Sequence, residues 1–255
     1  MPPFDLLSPA LFAGACAIAL VAGVVKGAVG FAMPMIMISG LASVLPGEVA
    51  IAALILPTLA SNLQQAFRQG GSAALAAVSA HWRFLATGGV LLLASAQLVP
   101  LLDGRAILAL IGVPIVGFGL AQLAGWQPRL GPRGRRPAEI GLGAVAGFVG
   151  GLSGVWGPPT VIYLTALDTP RVEQLRVLGV VFLLGAVLLT AAHVQSGVLN
   201  AATAPLSAAL VVPAVIGMAL GVRISDRLDQ ARFRRLTLIV LVVVGANLVR
   251  RAAMG

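Results

Sequence analysis

The chain's only lysine, Lys26, stands in "VVKGAVGFAMPM", inside sequence that is otherwise almost entirely apolar. A lone cation in the middle of a bilayer costs about 3 kcal/mol or more, so the chemistry open to it is to hold a negative partner. Gly27, Gly30 and Pro34 follow it. Glycine loosens a helix, and proline suits a first helical turn, where its missing N–H is not needed. A helix that breaks here and restarts at Pro34 presents free amide N–H groups and roughly half a positive charge, a setting for an anion. The stretch "GGLSGVWGPPT" (150–160) repeats the pattern, with Gly151, Ser153, Gly154, Trp156, Gly157 and Thr160 around a second expected break. The amides from Gly30 through Phe31 and Met33 to Pro34, and those from Gly154 to Thr160, are expected to hold an anionic head.

Few other polar groups interrupt the apolar runs. In "LPTLASNLQQAF", Thr58, Ser61, Asn62 and Gln65 fall at helical spacings of three and four on one face. Thr58, Asn62 and Gln65 are candidate hydrogen-bonding groups for the same ligand; the alternative is that the stripe only ties neighbouring helices together. His193 lies near the end of a later apolar run and reads either as a proton or substrate group or as a structural residue. His81, between Ala80 and Trp82-Arg83, reads as an interface anchor, and Trp156 and Tyr163 as aromatic cover or core filling. Two histidines and one cysteine make a poor metal set, no H-E-x-x-H occurs, and Ser153 has no identifiable base. Neither a metal, a cofactor nor a catalytic residue is expected.

These residues need helices to position them. Of 255 residues, 59% are hydrophobic and 10% charged, with a mean hydropathy of +1.01, far from a soluble domain's composition. A spanning helix needs about 20 apolar residues, and Gly/Ala-rich runs favour a helical bundle over a barrel. The net charge of +9 comes from arginine clusters between apolar runs, a topogenic pattern rather than a nucleic-acid footprint. Cys16 lies in the first run, so no intrachain disulfide can form. The start lacks a basic segment and reads as a retained first membrane segment.

Ten segments are expected, at 8–26, 32–45, 48–67, 84–101, 105–125, 139–152, 157–167, 172–193, 200–221 and 233–252. They fall into a first membrane repeat (1–126), a basic cytoplasmic linker (127–138) and a second repeat (139–255). With the linker arginines in the cytoplasm, thirteen basic residues fall on that side and three on the other, which places both termini outside and gives the halves opposite orientation. The fold expected is an all-α integral membrane protein of two inverted repeats, each a Gly/Pro-broken helical hairpin followed by three transmembrane helices. Independently, residues 23–46 and 147–170 align without a gap at an offset of 124, matching Gly23, Gly27, Gly30, Pro34 and Pro46 to Gly147, Gly151, Gly154, Pro158 and Pro170. The glycines at i and i+4 also have a plain reading, close helix packing.

"GFVGGLSGVWGPPTVIYLTAL" with "DTPRVEQLRVLG", and "VVKGAVGFAMPMIMISGLASVLPGEVAIAALILPTLASN", resemble the two signatures of the sulfite exporter TauE/SafE family. The resemblance covers essentially the whole chain and implies a bacterial inner-membrane permease for small sulfur-containing or organic anions such as sulfite, thiosulfate, sulfonates or sulfoacetate. The partners expected are a small anionic solute and membrane lipid, without nucleic acid; the oligomeric state stays open. An anion channel, a non-transporting membrane subunit and an intramembrane enzyme are the alternatives.

Overall fold

The computed structural model of the chain describes residues 8–42, 44–96, 104–126, 132–153 and 156–254. These residues fold as helices, with no strand among them: α1 (Pro9–Val29), α2 (Met33–Leu41), α3 (Gly47–Phe67), α4 (Gly71–Ala80), α5 (Trp82–Ala96), α6 (Gly104–Leu123), α7 (Pro132–Ser153), α8 (Gly157–Ala166), α9 (Arg171–Gln195), α10 (Ala204–Asp226) and α11 (Gln230–Met254). Each of the ten expected segments overlaps one of them. Five are long and apolar enough to cross a membrane, beginning at Pro9, Val49, Arg171, Ala204 and Gln230; the bent pair α4 and α5 is a sixth candidate.

Two boundaries differ from the sequence reading. Residues 71–80, expected as part of a cytoplasmic loop, form α4, because the alanine-rich "GSAALAAVSA" has high intrinsic helix propensity. It meets α5 at a bend of 76°. The basic linker is helical from Pro132 onward, with proline at the tolerated first position and an Arg135–Glu139 pair one turn apart.

The chain divides into two compact units, each discontinuous in sequence. Unit 1 comprises Met1–Gly71 and Leu175–Leu228; unit 2 comprises Ser72–Gln174 and Asp229–Gly255. In unit 1, α1 packs along α10, and α10 along α3. The α1–α10 contact is a glycine interlock: a Cβ on Gly23 or Gly27 would strike the Ala214 or Met218 carbonyl, and one on Gly217 or Gly221 the Leu20 or Val24 carbonyl. The rising register makes the two helices parallel. Lipid offers no hydrophobic drive for helix association, so such close backbone approach supplies the packing. Below it, Ala15, Ala19 and Ala22 bury Met33, Met37 and Leu41 of α2 and Leu206 and Leu210 of α10.

Unit 2 repeats this arrangement with other helices. There α7 packs along α5, with Gly143 on Phe84 and Thr87 and Gly147 on Gly88, again in parallel register. Helices separated by the 124-residue offset pair head to tail within each unit. In unit 1, Asn62 of α3 meets Phe182 of α9 while Gln65 meets Leu175. In unit 2, Gly112 of α6 faces Val249 of α11 while Gly119 faces Val242. Large apolar side chains stand outward on both units, among them Val21, Val187 and Val212 on unit 1 and Leu75, Val90 and Val243 on unit 2. Water would disfavour so much exposed apolar surface, whereas lipid accepts it.

Candidate functional site

The expected break is present in unit 1. Helix α1 ends at Gly30, whose φ of 89° is open to glycine and strained for other residues; its N–H donates to the Lys26 carbonyl at 2.6 Å. Ala32 holds a second left-handed conformation, φ 75°, before α2 begins with Pro34 in its first turn. Phe31 and Met33 are buried beside the break.

Lys26 is 1% exposed. Its ammonium donates to Asn62 Oδ1 and lies 5.9 Å from the centroid of the Phe182 ring, a cation–π distance. The Asn62 amide nitrogen in turn donates to the Phe182 carbonyl at 3.1 Å. An ammonium carries three donors, and among the described residues no carboxylate comes within ion-pair distance of this one. A single amide oxygen and an aromatic face are thin company for a buried charge, which ordinarily needs an opposite charge or several acceptors.

Gln65 closes the break. Its amide nitrogen donates to the Gly30 carbonyl at 3.0 Å and to the Leu175 carbonyl at 2.8 Å. Two carbonyl partners fix which way the amide points, since a flip would set oxygen against oxygen. Its Oε1 is left buried without a partner, as is Thr58 Oγ1, while Ser61 bonds back to the Thr58 carbonyl at 3.0 Å. The Lys26 ammonium, the Gln65 oxygen and the Thr58 hydroxyl are therefore buried polar groups with unused capacity on one stretch of α1 and α3. Such groups are normally satisfied, and a polar ligand would satisfy them.

The remaining sequence candidates divide. Lys26, Gly30, Asn62 and Gln65 are brought together, with Thr58 one turn before Asn62. Gly27 faces α10 and serves packing. His193 lies in the last turn of α9, eleven residues beyond Phe182, or about 16 Å along the helix, and does not join Lys26. The second break lies in unit 2. There Gly151 and Ser153 are in the last turn of α7, Gly154 lies outside the described residues, and Trp156 precedes α8. Gly157 opens α8, and Thr160 is fully buried with its hydroxyl donating to the Trp156 carbonyl at 2.8 Å. Pro158 and Pro159 in the first turn of α8 carry no N–H, so this helix start has fewer amides to offer than an ordinary one.

Unit 2 also holds a polar cluster that sequence reasoning missed. His81, read as an interface anchor, is buried at the α4–α5 bend, and its Nδ1 is 2.8 Å from the Tyr163 hydroxyl. Trp82 beside it is the exposed residue, with Arg83 stacked over its ring at 4.9 Å. Tyr163 also bonds Glu139, a buried carboxylate paired with Arg135 and Arg83. The one signal in the sequence was the four-residue spacing of Arg135 and Glu139.

A polytopic helical membrane protein with a glycine-broken helix and an under-partnered buried cation at the break has the build of a solute transporter. The sulfite exporter TauE/SafE family matches residues 15–248, and the chain belongs to that family. It is accordingly a membrane transporter of the permease type. No curated protein and no solved structure matches the chain at a significant level.

Proposed function

We propose that the protein is a secondary transporter of small sulfur-containing or organic anions, such as sulfite, thiosulfate, sulfonates or sulfoacetate, working by alternating access. The observation that carries this is Lys26, a buried cation with one amide bond, one aromatic face and no carboxylate among its described neighbours. An anion would supply the missing charge, and the capacity of Thr58 Oγ1 and Gln65 Oε1 would orient it. The Gln65 oxygen accepts only, so it favours an anion carrying a donor of its own, such as the proton of bisulfite or the amine of an aminosulfonate.

Inverted repeats over 1–126 and 139–255, joined by the 127–138 linker, are supported by the head-to-tail pairing of α3 with α9 and of α6 with α11, which are separated by the repeat offset. They are also supported by the matching parallel contacts of α1 with α10 and α7 with α5. In unit 1, Arg68 pairs with Asp226 at 2.7 Å and Arg176 with Gln69 at 2.7 Å. These contacts gather the end of α3, the start of α9 and the end of α10, as the basic bias assigning all three to the cytoplasm requires. The same bias puts both termini outside a bacterial inner membrane. Gly151, Ser153, Gly154, Trp156, Gly157 and Thr160 at the second break are a further candidate binding element, taken within unit 2 alone, and His193 is assigned no contact with the anion.

The test is flux of radiolabelled sulfite and thiosulfate in proteoliposomes, comparing wild type with Lys26→Ala. Saturable flux with counter-flow that falls at least about tenfold in Lys26→Ala, the value of one charged hydrogen bond, is the expected result. Equal flux in both proteins removes Lys26 from the site, and flux without saturation or counter-flow replaces the carrier with a channel.

A further inference from the structure

Helix α3 carries a proline in its interior, Pro57, directly before Thr58. Proline has no N–H and its ring crowds the carbonyl four residues earlier, so the Ala53 carbonyl loses its helical donor. A buried carbonyl left unmet is costly. Ser207 of α10 meets it. Its hydroxyl, fully buried, donates to the Ala53 carbonyl at 3.3 Å and accepts the Leu56 N–H at 3.1 Å. The Ser207 N–H is engaged with the Thr203 carbonyl at 3.2 Å, so the side chain alone serves α3. Packing does not call for a hydroxyl here. Leu206, Leu210 and Ala214 of α10 already share one apolar cluster with Ala50, Ala53 and Leu54 of α3, and a buried polar group in such a contact is explained by the groups it satisfies.

We propose that Ser207 stands in for the missing Pro57 N–H and, by holding α3 bent at that turn, positions Thr58, Asn62 and Gln65 for the anion. The proposal rests on the reading of Lys26 and α3 as the anion site given above. The Ser207 hydroxyl bonds the backbone of α3, and so acts on the site through that helix, as a positioning residue.

In an unbroken helix the N–H of residue 57 would clasp the Ala53 carbonyl and tie the turn after it to the turn before. Here α10 takes that carbonyl instead. The arm 47–56 is thereby fixed to α10, while the arm from Thr58 onward is released from it on one side, as at proline kinks generally. The released arm carries the site. Asn62 engages the Lys26 ammonium and the Phe182 carbonyl, and Gln65 the Gly30 and Leu175 carbonyls. Ser61 adds to the bend, since its hydroxyl bonds back to the Thr58 carbonyl at 3.0 Å, a pattern that bends helices. Thr58 is the first residue beyond the proline, and its hydroxyl is buried without a partner. Restoring the clasp at residue 57 would shift Thr58 and Asn62 relative to Lys26.

The experiment is a double-variant cycle on the full chain in detergent, with wild type, Ser207→Ala, Pro57→Ala and the two combined, read by thermal unfolding without anion and with thiosulfate or sulfite. Ser207→Ala leaves the Ala53 carbonyl unmet and should lower the ligand-free midpoint by about 4 to 8 °C. Pro57→Ala returns the backbone N–H, so adding Ser207→Ala to it should cost no more than about 1 °C, a plain failure of additivity. Anion affinity should not recover with stability. The combined variant should bind at least about fivefold more weakly than wild type, the value of one neutral hydrogen bond, whereas a merely structural serine would let both recover together. An equal cost of Ser207→Ala with and without Pro57 overturns the exchange of hydroxyl for amide, and wild-type affinity in the combined variant overturns the positioning. Should Ser207→Ala fail to fold, a folded combined variant supports the exchange and an unfolded one overturns it. A wild type that neither anion stabilises counts against the anion-site reading, while the ligand-free cycle still decides whether Ser207 replaces the proline amide.

Discussion

Replacing Lys26 with methionine should separate stability from ligand binding. Methionine keeps the length and apolar stem of the lysine and removes its charge. Exchanging a buried, poorly paired ion for an apolar side chain of similar volume stabilises by about 1–4 kcal/mol. Against this, Asn62 Oδ1 loses the donor that Lys26 supplies, at a cost of about 1–3 kcal/mol for an unmet buried acceptor. At the middle of each range the two effects cancel to within about 1 kcal/mol, so the Lys26→Met protein should unfold within about 4 °C of wild type, on the scale of 2–4 °C per kcal/mol for a chain of this size. Anion affinity has no such compensation. A charge-assisted hydrogen bond is worth about 1.5–3 kcal/mol, or about a 10- to 150-fold weaker Kd. The assay is thermal unfolding of detergent-purified protein titrated with sulfite and thiosulfate, in which a ligand bound to the folded state raises the midpoint according to its Kd. Wild type should be stabilised by anion, and Lys26→Met should resemble unliganded wild type and respond only at far higher concentration. A variant that unfolds many degrees lower yet responds to anion like wild type would make Lys26 a structural residue and not an anion-binding one.

Gln65→Leu removes the donor to the Gly30 and Leu175 carbonyls; at about 1–3 kcal/mol for each unmet buried acceptor, the unfolding midpoint should drop by several degrees, and an unchanged midpoint would show that the break is held otherwise. Gly221→Leu drives a side chain into the Val24 carbonyl across the α1–α10 contact, and loss of the monodisperse peak in detergent chromatography is expected; Gly141→Leu, with open space around it, should elute as wild type does. Gly30→Ala forces φ 89° on a residue with a Cβ and brings it to 2.7 Å from the Leu175 side chain. It should lower stability by about 1–2 kcal/mol from the backbone alone, read as a lower midpoint without loss of helical circular dichroism.

What was legible in the sequence was what local rules determine. Glycine and proline mark the ends of α1 and the start of α2, since positive φ and a first-turn proline leave few other choices, and helical spacing alone set Thr58, Asn62 and Gln65 on one face. Their partners were not legible. Phe182 and Leu175 serve through a ring and backbone carbonyls over a hundred residues away, and a carbonyl carries no sequence signature. Gly27 carries two readings in the sequence, anion site and close packing, because Gly-x-x-x-Gly spacing reads the same for both, and a Cβ on it would meet α10. His81 was misjudged from its neighbours: Trp82 and Arg83 do lie outward, but the 76° bend turns the histidine inward. Glu139 escaped notice because the basic stretch before it read as a loop, whereas it is the first turns of α7.

A cryo-electron-microscopy map of the wild-type protein prepared with saturating thiosulfate would locate the anion itself. Added density is expected in contact with the Lys26 ammonium at the broken end of α1, close enough to hydrogen-bond Thr58, and missing from a Lys26→Met map made under the same conditions. Thiosulfate density away from α1 that persists in Lys26→Met, with Lys26 still bonded only to Asn62, would contradict it.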